Sequence, residues 1–488
     1  MKPLFRFLSC LLCLAVLLSS VACNDSYKDA YIYYELNSVP KTLDPQLVKT
    51  DDEATVVRCL FDTLLRYDEK GNLVPSAAES YSNEGLIYTF KLKKDAVWTN
   101  GKPVTAYDFQ FGLRRAVDPN TMSPLAYTLS AIKNADKILS GKMDVSSLGV
   151  TVIDDYTLKI ELSKEDSEFL NTLTTPIAMP CNEDFFKNAK ATYGLALDSL
   201  LCNGSYYVRI WDSNDAFLIR LAKNLNFKGN FEANSMRVYF TCSDSENTLK
   251  IADGDSDLGF ITADRYNEAT ENGLKTVNIE NQCYMLTAGN NIDLDLRKAL
   301  LTSVNTTSYK EELSGGYRLA NSIYPASLNV KNAGSVSEKI SYNISSAIKL
   351  YNDIIKKQNS QNLVLKYVND PICESVAKSV AAHWQQHLGA FINIEKISLD
   401  SAYEIYKNGN SLLIMPFSVT GGNYKAYISA LGSKNPDSVA AQNEILKDYR
   451  HFPLFFSNNY IAFNDYIMMD EKLVSNGIPD MALVIKNK

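Results

Sequence analysis

Strand-like and helix-like patterns interleave along the whole chain, and this interleaving restricts the possible folds more than any other feature of the sequence. Tyr31-Ile32-Tyr33-Tyr34 is a run of β-formers, and Pro40 and Asp44-Pro45 break the chain after it. Residues 52–67 then place Val56, Val57, Leu60, Leu64 and Leu65 at helical spacing. Residues 88–92 and 155–162 alternate apolar and polar side chains, as half-buried strands do. Further strands are predicted at 216–221, 236–240 and 363–367, and helices at 294–306, 345–357 and 371–388. Such a chain suits sheets covered by helices, the α/β arrangement, rather than a pure sandwich or bundle. Its 488 residues allow roughly three domains at about 150 residues each, so more than one lobe is expected.

Composition adds exclusions. Apolar residues make up 46% and charged residues 22%, the balance of a chain that buries a large core, which excludes disorder, collagen and coiled coil. The net charge of −7 opposes broad nucleic-acid binding, which needs cations against phosphates. No second stretch of 18 or more apolar residues follows the N-terminus, so nothing else is expected to span a membrane.

The N-terminus reads as an address. Lys2 and Arg6 form a positive region, residues 7–18 are apolar, and Ser19-Ser20-Val21-Ala22-Cys23 follows. Small residues before a Cys are similar to a bacterial lipobox, in which Cys23 would receive the lipid and become the first residue. Two or more acyl chains make a stable anchor. A plain secretory signal or a signal anchor is the alternative. Removing residues 1–22 takes away two cations and no acid, moving the net charge from −7 to −9. Six cysteines then remain besides Cys23, at 59, 181, 202, 242, 283 and 373, without metal-ligand spacing. Disulfides and separate buried thiols both stay open.

Tests for chemistry come out empty. Asp253-Gly254-Asp255-Ser256-Asp257 alternates acids like a calcium loop, but Leu258 stands where the loop needs Gly and Asp264 where it needs Glu. A solvated acidic turn is the expectation. His383 and His387 are four apart on a predicted helix, so both could face one ligand. Trp384 nevertheless occupies the position where the zincin pattern needs Glu, and surface histidines beside a packed Trp are expected. No GxSxG elbow, P-loop or strand-linked GxGxxG is present. No catalytic residue, metal or cofactor is assigned. The 29 Tyr and 20 Phe could line a cleft, although most aromatics of a large chain are core.

One block carries a family resemblance. It runs Pro75-Ser76-Ala77-Ala78-Glu79-Ser80-Tyr81, then Tyr88-Thr89-Phe90-Lys91-Leu92-Lys93-Lys94-Asp95-Ala96-Val97-Trp98, then Asn100-Gly101-Lys102-Pro103-Val104-Thr105-Ala106-Tyr107-Asp108-Phe109, closing on Asp118-Pro119. This resembles the signature of the oligopeptide- and dipeptide-binding proteins of ABC importers, the family 5 extracellular solute-binding proteins. Thr42-Leu43-Asp44-Pro45, Leu60-Phe61-Asp62-Thr63-Leu64, Leu148-Gly149-Val150, Asn203-Gly204-Ser205-Tyr206, Arg297-Lys298-Ala299-Leu300, and Trp384 with Leu388-Gly389 are similar to its other landmarks, in order.

The resemblance implies an α/β, two-lobed, periplasmic-binding-protein-like fold of the large type II, cluster C kind, with an extra subdomain inserted in lobe one. Its implied boundaries are a signal at 1–22, lobe one at 23–61, 181–281 and 459–488, the subdomain at 62–180, and lobe two at 282–458. It implies a lipid-anchored extracytoplasmic monomer that is not an enzyme, closes over an oligopeptide and passes it to ABC permease subunits. Backbone pairing would supply affinity without fixing peptide sequence.

Carried onto this chain, the ligand segments are Lys49-Thr50-Asp51, Leu125 with Tyr127, and Phe417-Ser418-Val419-Thr420-Gly421-Gly422-Asn423. The family Asp that binds the peptide ammonium is replaced by Gly421, and no acid lies from Phe417 to Asn423. A charge-assisted hydrogen bond is worth about 1.5–3 kcal/mol, so its loss weakens amino-terminus preference roughly 10- to 100-fold unless Asp51 replaces it. The chain is also shortened between about 425 and 445, which opens or reshapes the cleft. The competing expectations are a divergent oligopeptide binder and a binder of another ligand, such as a blocked, modified or signalling peptide, a sugar or a metal complex. A ligand-sensing lipoprotein, a structural surface protein and a hydrolase are the remaining classes.

Overall fold

The computed structural model describes residues 31–487 apart from 167, 213–217, 229–236, 243–246, 314, 329, 331–339, 357–362, 410, 420–423, 434, 436–437 and 476–477. Cys23 and the signal therefore lie outside the described residues. One large sheet spans the molecule. From one edge it runs Asn393–Ile397, Val364–Val368, Leu412–Ser418, Lys275–Ala288, His451–Phe463, Leu258–Ile261, Tyr31–Leu36, Arg237–Cys242, Leu218–Lys223 and Tyr206–Asp212, with Tyr317–Leu319 added beside His451–Phe463. Val364–Val368 pairs parallel with both of its neighbours, and so does Tyr31–Leu36. Between these parallel halves, Lys275–Ala288 and His451–Phe463 run antiparallel to each other.

Two large apolar cores and one small cluster around Ile251, Ile261 and Tyr460 hang on this sheet. One core gathers Ile32, Tyr34, Phe240, Ile279 and Ile461, and the other gathers Met285, Leu365, Trp384, Ile414 and Phe455. Both long antiparallel strands contribute to both cores, so they are the crossing strands of a two-lobed molecule. Burial along the first of them changes with its surroundings. Residues 275–279 are partly exposed, whereas Cys283–Ala288 are all buried, as expected for a strand covered on both faces by helices.

Local sequence explains the elements. Pro371 opens helix Pro371–Leu388, Asp370 accepts the Ile372 N–H at its start, and Gly389 ends it in the left-handed region at φ +66°. Trp384 points inward and donates to the Leu300 carbonyl at 2.9 Å. Ala106–Val117 starts on a Thr105–Asp108 capping box, and Asp108 also accepts from the Trp98 indole at 3.4 Å. The 75–119 signature is thus largely a scaffold for the separate sheet of Ala78–Glu84, Ile87–Leu92, Thr157–Glu161 and Val150–Asp154. That sheet has no core of its own, because Phe90, Leu158 and Ile160 join the lobe-one cluster.

Two expectations need correction. The helix predicted over 52–67 spans only Asp51–Leu60, and Leu65–Tyr67 is a strand. The Asn203-Gly204 turn stops it: the Gly204 N–H donates to the Leu60 carbonyl at 2.8 Å, and Asn203 accepts from the Asp62 N–H at 3.0 Å. Any Cβ on Gly204 would stand 2.5 Å from the Leu60 backbone. The acidic turn at 253–257 is only partly solvated. Asp257 is buried, taking Lys486 Nζ at 2.8 Å, the Tyr466 hydroxyl at 2.9 Å and the Tyr33 N–H at 2.8 Å. Cys59, Cys181, Cys202, Cys283 and Cys373 are separate buried thiols, and Cys242 is half-buried. Among the described residues no helix is long and apolar enough to cross a membrane.

Candidate functional site at the lobe junction

Both crossing strands turn polar where they pass between the cores. Glu280, Asn281 and Gln282 interrupt one apolar run, and Ser457, Asn458 and Asn459 interrupt the other. The pairing shifts register between Glu280 and Gln282, which frees Asn281 from regular pairing there. Glu280 is buried and braced by Arg318 at 2.7 Å and by the Ala326 N–H at 2.7 Å. Asn281 connects three pieces of chain. Its amide donates to Asp51 Oδ2 at 3.3 Å, its side-chain oxygen accepts from Asn459 at 3.2 Å, and its backbone carbonyl accepts the Val419 N–H at 2.8 Å.

Asn281 therefore brings together two of the segments that the sequence singled out. Asp51 is the first residue of the lobe-one helix Asp51–Leu60. Thr50 caps that helix, and Glu53 takes the Lys49 N–H at 2.7 Å, so these backbones are held while the Lys49 and Thr50 side chains stay exposed. From lobe two, Phe417 pairs with Cys283 and Ser418 with Gln282 at the end of Leu412–Ser418. Phe417 is buried against Tyr406, with ring centres 5.1 Å apart, and Ser418 is exposed. Val419 is buried beside the junction.

The third segment approaches from the subdomain. Leu125 is buried and Tyr127 half-buried, in and beside the turn Ala126–Leu129. That turn comes close to helix Tyr424–Ala430 of lobe two. Burial pushes the Tyr127 hydroxyl up to about 12, so it stays protonated and able to donate. Gly421 and Asn423 lie outside the described residues.

Asp51 is the electrostatic exception at this junction. Burial first, and the neighbouring Asp52 second, raise its carboxyl from the usual range to about 7. Asp52 is better served, accepting from the Ser38 N–H at 2.9 Å and from the Ser38 hydroxyl at 2.6 Å. Asp51 has one long amide bond and, among the described residues, no cation within ion-pair distance. A carboxylate so placed gains from any cationic group brought to it.

Sequence reasoning did not single out Asn281, Asn459 or Glu280. The available signal was the paired polar break in two long apolar strand sequences. A separate groove of about 560 Å³ lies between helices Ala106–Val117 and Glu183–Ala189, lined by Tyr107, Phe111, Arg115 and Phe186. It includes none of the candidate segments.

A model of the bacterial extracellular solute-binding proteins, family 5 Middle, matches residues 72–450. The chain is 25% identical over 425 residues to the probable deoxycholate-binding periplasmic protein YgiS of Escherichia coli, covering 83% of this chain and 78% of that one. It is 36% identical over 182 residues to the periplasmic oligopeptide-binding protein OppA of Escherichia coli, covering 37% of this chain and 33% of that protein. The structure of Listeria monocytogenes OppA bound to peptide superposes with a TM-score of 0.76 at 21% identity, over 94% of this chain and 99% of the other. This likeness bears out the two-lobed, periplasmic-binding-protein-like architecture.

Proposed function

This chain belongs to the bacterial extracellular solute-binding proteins of family 5, and on that premise we propose that it captures oligopeptides between its lobes for an ABC importer. The observation that carries the proposal is the Asn281 junction, where a lobe-one helix start and a lobe-two strand end meet on a crossing strand. A ligand lying there touches both lobes at once, which couples binding to hinge closure. The ends of Leu412–Ser418 and of the 49–51 segment offer main-chain groups for an extended peptide. Lys49, Thr50, Asp51, Leu125, Tyr127, Phe417, Ser418, Val419, Gly421 and Asn423 are the proposed lining. Asp51 takes the ligand ammonium in place of an acid at Gly421. The lipid on Cys23 holds the protein at the outer face of the membrane, beside the permease subunits that receive the peptide.

A second reading has its own support. A relative aligned over most of this chain is named for deoxycholate binding, and the 417–423 segment lacks an acid. In that reading the ligand is not a peptide, and transport or sensing stays open.

Native mass spectrometry of residues 24–488, before and after mild unfolding, separates the two. A released mixture of short peptides supports the peptide carrier. A single non-peptide ligand, or a melting shift with deoxycholate and none with a peptide library, overturns it in favour of the second reading. Metabolic palmitate labelling that survives Cys23→Ala would remove the lipid-anchor proposal.

A further inference from the structure

One pair of chemically able side chains takes no part in the junction. His383 and His387 stand one turn apart on helix Pro371–Leu388, flanking the buried Trp384, and both are partly exposed. Their ring centres are 5.3 Å apart with planes inclined at 80°. Nδ1 of His383 is sheltered from solvent and has no hydrogen-bond partner among the described residues. Because Nδ1 is sheltered, an ion shared with His387 in an open site would be held by Nε2 of His383.

The ring separation matches what shared coordination requires. With metal–nitrogen bonds of about 2.0–2.1 Å, two imidazoles on one tetrahedral ion place their ring centres roughly 5 Å apart. Positions i and i+4 also face the same side of a helix, so one ion can reach both without distorting the backbone. We propose that His383 and His387 form a two-imidazole site for a divalent transition-metal ion of the zinc and copper class. Imidazole nitrogens suit these ions rather than magnesium or calcium. Among the described residues no cluster of three or more His, Cys, Asp or Glu could hold a metal. Water therefore completes the coordination, and the site is open and exchangeable rather than a closed structural one.

The chain makes this easy to test, because it has only three histidines. The third, His451, is buried and bonded to the Tyr406 hydroxyl at 2.8 Å, so it serves as an internal control. Tag-free residues 24–488 would be titrated with Cu2+ and with Zn2+ by calorimetry in a non-coordinating buffer. The expected result is one site per chain, tighter for copper. Outer-shell changes at metal sites already cost about 10- to 100-fold in affinity, so His387→Gln and His383→Gln should each cost at least that. Electron paramagnetic resonance of the copper form should show two coupled imidazole nitrogens. Circular dichroism of each variant confirms that the helix is retained, and His387→Gln, which leaves the sheltered His383 in place, is the milder of the two. Wild-type binding that His387→Gln leaves unchanged, a one-nitrogen spectrum, or no binding at all overturns the proposal.

Discussion

The two lobes solve the same packing problem with different chemistry. Lobe one ties distant parts of the chain together with buried ion pairs. Arg115 grips Asp44 with Nη1–Oδ1 at 2.8 Å, Arg66 pairs with Asp480, and Lys486 pairs with Asp257. Lobe two instead anchors aromatic tips on oxygen acceptors: Trp384 on the Leu300 carbonyl, Tyr324 on the Ser438 carbonyl at 2.7 Å, and Tyr284 on Asp370 at 3.1 Å. Lobe one is assembled from several returns of the chain, and a charge pair between 44 and 115, or between 66 and 480, specifies which segment meets which. Lobe two bridges comparable separations, from 300 to 384, 324 to 438 and 284 to 370, with neutral donors, whose burial costs less than that of a charge.

The largest effect should come from Trp384→Ala. Losing a buried aromatic costs about 3–5 kcal/mol, and here a hydrogen bond goes with it. Calorimetry should show a marked early loss of lobe-two structure, and one unchanged transition would mean that the two cores are not separately sensitive. Next comes Asp44→Ala, which leaves Arg115 buried without its carboxylate at a cost of about 3 kcal/mol or more. Replacing the pair together, as Asp44→Leu with Arg115→Met, should recover much of that loss in denaturant titration. Failure to recover would show that the Arg115 stacking on Phe186, 4.2 Å from the ring centre, matters more than the charge.

Smaller and opposite in sign is Asp51→Asn. A carboxyl near 7 in the folded protein binds its proton more tightly than in the unfolded chain, where the value is about 4. The folded state therefore loses stability as pH rises from about 4 through 7. Asp51→Asn should stabilise the ligand-free protein by an amount on the order of 2 kcal/mol at pH 8, with the gain fading toward pH 4. Affinity for a free-amine peptide should move the other way, rising with pH through 7 and falling in the variant. Equal affinity for free-amine and acetylated peptides in the wild type would end the ammonium role of Asp51 while leaving peptide binding intact. The smallest effect belongs to Lys407→Ala. Its pair with Glu404 is exposed, and the change should stay within about 0.5 kcal/mol.

Much of this architecture is legible before folding. The strands at 31, 88, 157 and 364 and the helix at 371–388 start close to where periodicity and caps place them, because those signals act within a few residues. The helical spacing over 52–67 overshoots the helix because its stop signal, Gly204, lies more than 140 residues away. The burial of Asp257 has no local signal for the same kind of reason, since its partners Lys486 and Tyr33 are remote in sequence. At the junction, the segments around 51 and 417 are suggested by family resemblance alone. Asn281, which joins them, lies in the polar break Glu280-Asn281-Gln282, and that break marks the place without telling which segments meet there.

By itself, the sequence determined most element types, the exclusions that follow from composition and the α/β class, because periodicity, capping and turn chemistry are local. Tertiary structure decided which residues meet: that Asp51 lies half-buried with no cation at ion-pair distance among the described residues, that Asn281 spans two lobes, and that two histidine rings stand 5.3 Å apart. Burial, desolvation and distance are properties of pairs of segments, and a chain acquires them only when its crossing strands bring those segments together.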